Sequence, residues 1–371
     1  MKVIRQLGLV IGCIIALISC ESDKKDKVAY TEFFTHVVDN IVIPSLTDYQ
    51  TDFNALKLSV DDFNTDPTLA KLNSLQIDFK DNYILWESIE LFNFGPAQDA
   101  EILLSQSFNS FPCEISQVEA NIIAGSYNLG SAANIFAVGL PAMDYLLFGL
   151  ANTNEDILSY YTTDAAADSR MDYLKAVSDL LNEKINLTVS RWPGLRDTFI
   201  TNEGTGNSSS LSVIFNEYLS HYESIKRDRF ALPAGYATSF GIPIEKDPTS
   251  TEGYHSGISH LLLQASITAS NNFFLGKGLG TTDIGFFHKL QEYNAQSTIV
   301  DGELHTAIAD QYIIIKDIAL EYTGPIEDQI IADTDAMAPF KSQLQKMVPM
   351  IKSDMVSYLS VNITSFDNDG D

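Results

Sequence analysis

Apolar residues recur at three- and four-residue spacing along most of this chain, a period that predicts helices rather than strands. Leu69, Leu72, Leu75, Ile77, Phe79, Tyr83, Trp86 and Leu91 form the clearest stripe. Asp66-Pro67 offers it an N-cap with proline at the first helical position, and Gly95-Pro96 ends it. Further helices are predicted over 28–62 (bent near Pro44), 116–130, 133–148, 165–191, 208–228, 251–275, 283–297, 303–323 and 328–359. Strand alternation is scarce, and no Asn-Gly or Asp-Gly turn sits between alternating runs. The predicted fold class is all-α.

Two polar breaks organise the helices. Thr201 to Ser210 is rich in Gly, Ser and Asn, and Phe230 to Ser250 carries Pro233, Gly235, Gly241, Pro243 and Pro248. A connection as long as the second is usually functional or passes between domains. The expected organisation is two helical-bundle domains packed side by side, residues 30–200 and 201–371, with about four long helices in each.

The N-terminus reads as a processing segment. Lys2 and Arg5 precede a mostly apolar run from Leu7 to Ile18, too short to span a bilayer, and Leu17-Ile18-Ser19-Cys20 has the form of a lipobox. The expectation is a signal peptide over 1–19, acylation at Cys20 and a polar tether over 20–29, with several acyl chains giving a stable membrane anchor. Localisation follows: the cell envelope, at the periplasmic face or the cell surface of the outer membrane. Cys13 leaves with the signal, so Cys113 remains as the free thiol and no intramolecular disulfide can form. It lies in Phe-Pro-Cys-Glu, outside any nucleophile motif, and is expected to be structural.

Charge narrows the partners. The chain holds 23 basic and 49 acidic residues, a net −26; loss of Lys2 and Arg5 with the signal leaves −28. Such a field repels nucleic acid and anionic head groups and favours cations. Most of it is expected to serve solubility.

Residues 139–149, Gly-Leu-Pro-Ala-Met-Asp-Tyr-Leu-Leu-Phe-Gly, carry the most specific pattern. They resemble the signature of the imelysin family, in which Gly-x-His-x-x-Glu precedes a Tyr-Leu-Leu-Phe-Gly-like run. Gly139 is kept, but Pro141 stands at the histidine position and Asp144 at the glutamate position. Trp86-Glu87-Ser88-Ile89-Glu90-Leu91-Phe92-Asn93-Phe94-Gly95-Pro96 is similar to a second family segment, with Asn93 where an arginine is frequent. Leu232-Pro233-Ala234-Gly235, followed by Glu252-Gly253-Tyr254-His255-Ser256-Gly257-Ile258-Ser259, resembles the family's return toward the domain interface. The C-terminal stretch from Leu344 is similar to that of imelysin-like lipoproteins from Bacteroidetes-type bacteria, and the likeness spans about residues 30–371.

The resemblance implies two helical bundles with the signature facing a cleft between them, and either metal-dependent peptidase activity or a link to iron supply. An intact His-x-x-Glu pair at i, i+3 puts two ligands on one helical face. Pro141 removes one ligand and has no backbone N–H either, so the cofactor is left unknown, with a metal ion at this spot possible but not favoured. No His-Glu-x-x-His motif occurs, which excludes a zincin. Among the six histidines His255 lies in a family-like segment and is the one of interest, though a structural role is favoured for it. Glu87 and Glu90 share a helical face and with Asp144 could form a carboxylate cluster able to hold a hard cation or a basic ligand; the plainer expectation leaves Glu87 at the solvated surface and Glu90 partly buried. Asp367 to Asp371 resembles the opening of a calcium loop but ends before the acid at its twelfth position. The functional expectation is a lipid-anchored imelysin-like binding protein whose cleft, lined by Trp86, Glu90, Asp144, Tyr254, His255 and Ser259, takes a ligand connected with iron or metal uptake. An outer-membrane uptake partner is compatible with that role. The alternatives are an imelysin-type peptidase and a structural or partner-docking lipoprotein.

Overall fold

The computed structural model describes residues 29–239, 241–280 and 282–364. The expected signal, the acylated Cys20, nearly all of the tether and the Asp367–Asp371 tail lie outside the described residues. Within them the chain is predominantly helical, with one two-residue antiparallel strand pair, Thr238–Ser239 with Ile242–Pro243. None of the described helices is long and apolar enough to cross a membrane.

Helix α1 (Thr31–His36) runs through a π-helical segment, Val37–Val42, into α2 (Ile43–Thr65). Pro44 explains the wide turn: its ring has no N–H for the Asn40 carbonyl four residues back and crowds that oxygen. The freed carbonyl instead accepts from the Leu279 N–H at 2.7 Å. Leu46, Tyr49, Phe53, Leu56, Val60 and Phe63 then form the buried face of α2. Helix α3 (Leu69–Trp86) starts later than expected. Thr68, not Asp66, is its N-cap, with Oγ1 accepting from the Lys71 N–H at 3.4 Å. It also stops earlier: past Trp86 the chain takes 3₁₀ turns at Glu90–Phe92 and Gly95–Gln98, so the apolar stripe outlasts the helix.

Short helices α4 (Leu104–Phe108), α5 (Ile115–Ala124) and α6 (Gly139–Asp144) lead into a second π segment, Tyr145–Gly149. The helix expected over 116–130 ends at Ala124, because Gly125 takes a left-handed conformation and caps it. The first half of the one expected over 133–148 is a 3₁₀ turn, Ala132–Ala137. Helix α7 (Asn154–Thr162), capped by Thr153, was not evident from periodicity, and α8 (Ala167–Thr201) passes straight through Pro193. Helices α2, α3 and α8 form the first packed layer.

After the loop 202–209, α9 (Ser210–Lys226) continues through a third π segment, Arg227–Ala231. Helix α10 (Ser259–Leu275) begins eight residues later than expected: Gly253 and Gly257 both have positive φ, which breaks 251–258 into turns. Helices α11 (Phe286–Glu292), α12 (Leu304–Glu321), α13 (Ile326–Asp333), α14 (Ala338–Pro349) and α15 (Val356–Leu359) complete the chain, with a π segment Met350–Met355 after Pro349. Helices α9, α10, α12 and α14 pack together. A buried polar chain runs among three of them, Ser270 Oγ to Tyr312 Oη to Tyr218 Oη, both steps 2.7 Å. The apolar side chains of both groups of helices merge into one contiguous core.

Candidate functional site

The signature helix α6 shows how a proline replaces a histidine without harm to the fold. Pro141 is the third helical residue, where a backbone N–H would have no intrahelical acceptor, so a missing donor costs nothing there. Gly139 holds φ +84°, and a Cβ at that position would lie 2.5 Å from the Phe108 carbonyl oxygen. Only glycine fits.

Asp144 ends α6 fully buried, and its carboxylate is already occupied. Oδ2 accepts from the His255 N–H at 2.9 Å and Oδ1 from the Ser256 N–H at 3.0 Å. It thereby ties the turns at 251–258 to the signature. Burial pushes its pKa up to about 6, although the bonds from Ser256 and His255 pull the other way. The His255 ring packs between Tyr145 and Tyr254, with centroids 5.4 and 5.1 Å away, and burial lowers its pKa. A cavity of about 350 Å³ here is lined by Pro141, Asp144, Cys113, Tyr254, His255 and Phe111 among others. Burial first, then Asp144 and Glu114, push the Cys113 thiol up to about 12, so it stays a thiol and not a nucleophile.

These residues do not fit a metal. Proline offers no ligand, each Asp144 oxygen already serves a backbone N–H, and among the described residues no group of three or more His, Cys, Asp or Glu is placed to hold an ion.

A second constellation lies on the other side of Phe111, whose ring lines both cavities. Glu87 caps α3, Glu90 opens the 3₁₀ turn, Glu252 comes from the 251–258 turns and Arg229 from the π segment after α9. Glu87, Glu252 and Arg229 are buried and Glu90 is partly so. Arg229 Nη2 lies 3.0 Å from Glu87 Oε2 and 2.5 Å from Glu90 Oε2, and its Nε lies 2.6 Å from Glu252 Oε2. Asn109 joins them, donating to Glu90 Oε1 at 3.1 Å and Glu252 Oε1 at 2.5 Å while accepting from Tyr83 Oη at 2.8 Å.

One guanidinium cannot neutralise three carboxylates, and their environments divide the protons. Burial raises Glu87 well above the usual range; Arg229 offsets this only in part, and Glu252 and Glu90 add to it. Glu252 is raised for the same leading reason. Burial also acts on Glu90, but Arg229, His221 and the bond from Asn109 outweigh it and hold its pKa below normal. Burial thus disfavours the charge on Glu87, while Arg229, His221 and Asn109 favour the charge on Glu90. The surface position expected for Glu87 is corrected: with no solvent exposure at all, it sits where the end of α3 turns inward against Arg229.

Of the residues expected to share one cleft, Asp144, Tyr254 and His255 line the first cavity and Glu90 the second. Trp86 is at neither wall. It is wholly buried and stacks on Phe108 with centroids 4.5 Å apart and planes 3° apart. Ser259 is buried too, donating to Glu327 Oε2 at 2.6 Å and accepting from the Ile326 N–H at 2.8 Å, which fixes the start of α13.

The second cavity, about 380 Å³, also draws on residues that sequence reasoning passed over: Asn93, Glu217, His221, Glu223, Asp228 and Lys352. The signal was present, since Glu217, His221, Ser224 and Asp228 follow one another at four-, three- and four-residue spacing, with Ser220 beside them, and so form a polar stripe on α9 and its π extension. Glu217 accepts from Asn93 Nδ2 at 3.3 Å and Gln98 Nε2 at 2.7 Å, and burial lifts its pKa to about 7 against those bonds.

Comparison with known proteins agrees with this architecture. The imelysin (Peptidase_M75) family model matches residues 42–348. The chain belongs to the imelysin family. Among solved structures it is similar to one from Parabacteroides distasonis ATCC 8503, provisionally described as an iron-regulated protein A precursor, with TM-score 0.70 and 16% identity over 89% of this chain and 94% of that one. It is also similar to an imelysin-like protein from Psychrobacter arcticum 273-4, with TM-score 0.68 and 17% identity over 90% of this chain and 96% of that one. No curated protein matches the chain.

Proposed function

We propose that this protein is a lipid-anchored, cell-envelope imelysin that captures a small ligand connected with iron or metal uptake, rather than one that hydrolyses peptides. The observation that carries this reading is the use made of Asp144. Both its oxygens are committed to the backbone of the 251–258 turns, so the residue nearest to a family metal ligand serves as a structural anchor. The cavity beside Glu90 and His221 instead holds convergent polar groups in a volume within the range that small ligands occupy, about 300–1,000 Å³. The link to iron is supported by the description of the Parabacteroides structure, and the anchor by the lipobox at Cys20.

Three measurements test the proposal. Purified protein should carry no stoichiometric metal and show no chelator-sensitive peptide hydrolysis, a membrane fraction should lose the protein when Cys20 is replaced, and iron limitation should raise its expression. A stoichiometric metal together with hydrolysis abolished by Asp144→Ala would overturn the binding reading in favour of the peptidase.

A further inference from the structure

The cavity beside the ion cluster contains more carboxylates than a neutral pocket needs, and most of them are paired. Glu223 has Lys226 at 2.8 Å and Lys352 at 3.1 Å, Asp228 has Arg227 at 2.7 Å, and Glu90 has Arg229. Two groups on α9 stand apart. Glu217 accepts only from the neutral amides of Asn93 and Gln98, and no ion pair to it occurs among the described residues. His221, one helical turn further on, is 5% exposed, yet among the described residues neither ring nitrogen has a hydrogen-bond partner. Its closest charged neighbour, Glu90 Oε2, is 3.8 Å from Nε2, beyond hydrogen-bond reach.

A neutral imidazole carries one acceptor and one donor nitrogen, and leaving either buried and unpaired forfeits the hydrogen bond it makes to water in the unfolded chain. A native fold keeps such a group where something else completes it. The missing partner must suit an acceptor nitrogen and an uncompensated carboxylate set at i, i+4 on one helical face, roughly 5–6 Å apart at Cβ. An anion would face Glu90, Glu217, Glu223 and Asp228 together. A metal ion would need further ligands, and no three-ligand group occurs among the described residues. An alkylammonium has three N–H donors and a positive charge, which matches both groups.

We propose that this cavity binds a small organic molecule bearing a protonated primary amine, with Glu217 as its counter-charge and His221 as its hydrogen-bond acceptor. This rests on the ligand-capture reading above and names the ligand's chemical class. The apolar walls at Leu91, Phe111 and Leu219 would cover the carbon skeleton. Neither Glu217 nor His221 is hydrogen-bonded to the ion cluster around Arg229; His221 does lie 3.8 Å from Glu90 and helps to hold its charge, so Glu217→Gln is the variant that leaves the cluster in place.

The test is calorimetric titration and thermal shift on the full chain at low salt, with putrescine and cadaverine as probes. Butane-1,4-diol and succinate serve as neutral and anionic controls of similar length. The expected result is saturable one-to-one binding of the diamines, weakened at least tenfold in Glu217→Gln and separately in His221→Phe, and negligible binding of both controls. Two variants keep the test decisive if one of them folds poorly. Absence of saturable diamine binding, or diamine affinity unchanged in both variants, would overturn the inference. Succinate or diol binding that is lost in His221→Phe would overturn the amine while leaving ligand capture standing. Metal-dependent hydrolysis lost in Asp144→Ala would instead remove the reading beneath it.

Discussion

Replacing Arg229 by methionine isolates the energetics of the buried cluster. Methionine keeps much of the stem's volume and removes the cation that, among the described residues, touches Glu87, Glu90 and Glu252 together. Breaking a buried ion pair from one side costs about 3–5 kcal/mol, because the remaining charge stays buried and uncompensated. That is a large part of a typical total stability of about 5–15 kcal/mol. For a chain of this length, an unfolding entropy of roughly 2 cal/mol/K per residue gives roughly 0.7 kcal/mol per degree, so Tm should fall by about 4–7 °C. The pH dependence sharpens the test. Without Arg229 the three carboxylates have folded-state pKa values raised above their unfolded values, so each gains stability as pH falls toward the unfolded value. The deficit, measured by urea unfolding, should be largest near pH 7.5 and shrink toward pH 5. A deficit below about 1 kcal/mol, or one constant across that range, would refute the assignment of Arg229 as the charge that makes the cluster tolerable.

The other predictions concern single positions. Glu87→Gln should change stability at pH 7 by less than about 1 kcal/mol, because burial already disfavours the Glu87 charge, whereas Glu90→Gln should cost roughly 1.5–3 kcal/mol through loss of a charged hydrogen bond; equal costs by urea unfolding would reject the opposite directions of the two shifts. Asp144→Ala should lose about 2–4 kcal/mol and speed amide exchange at His255 and Ser256. Its deficit should grow as pH falls through about 6, since an acid with a raised folded pKa adds stability on acidification, and a deficit that shrinks there would contradict the raised pKa of Asp144. Gly149→Ala would put a Cβ 2.6 Å from His255 Nδ1 and should cost about 1–3 kcal/mol, with the ring displaced in a crystal structure of the variant. Trp86→Ala should cost about 3–5 kcal/mol by core loss, and an effect on ligand binding larger than the effect on stability would contradict its place against Phe108.

Much of the helical architecture was legible because burial follows the 3.6-residue period. The Leu46–Phe63 and Leu72–Trp86 stripes are the buried faces of α2 and α3. Boundaries were less so where backbone conformation, not hydrophobicity, decides them. Gly125, Gly253 and Gly257 end or break helical runs through positive φ, and the stripe past Trp86 belongs to 3₁₀ turns that bury Leu91 and Phe92 without continuing the helix.

The imelysin signature was read at once, since a local sequence run needs no partner to be recognised. What Asp144 does there was not readable, because its partners are 111 and 112 residues away along the chain. The ion cluster shows the same limit. Glu87 and Glu90 pointed to one helical face, but their burial depends on Arg229 and Glu252 arriving from beyond α9. The sequence by itself determined the helical class, the family and the acidic balance, all of which are local or additive properties. Only the tertiary structure decided which carboxylates are held above or below their usual pKa, which side chains meet a cavity, and that His221 lines one with both ring nitrogens unpaired among the described residues. Those depend on distance and desolvation, and both are set by segments that the chain order holds far apart.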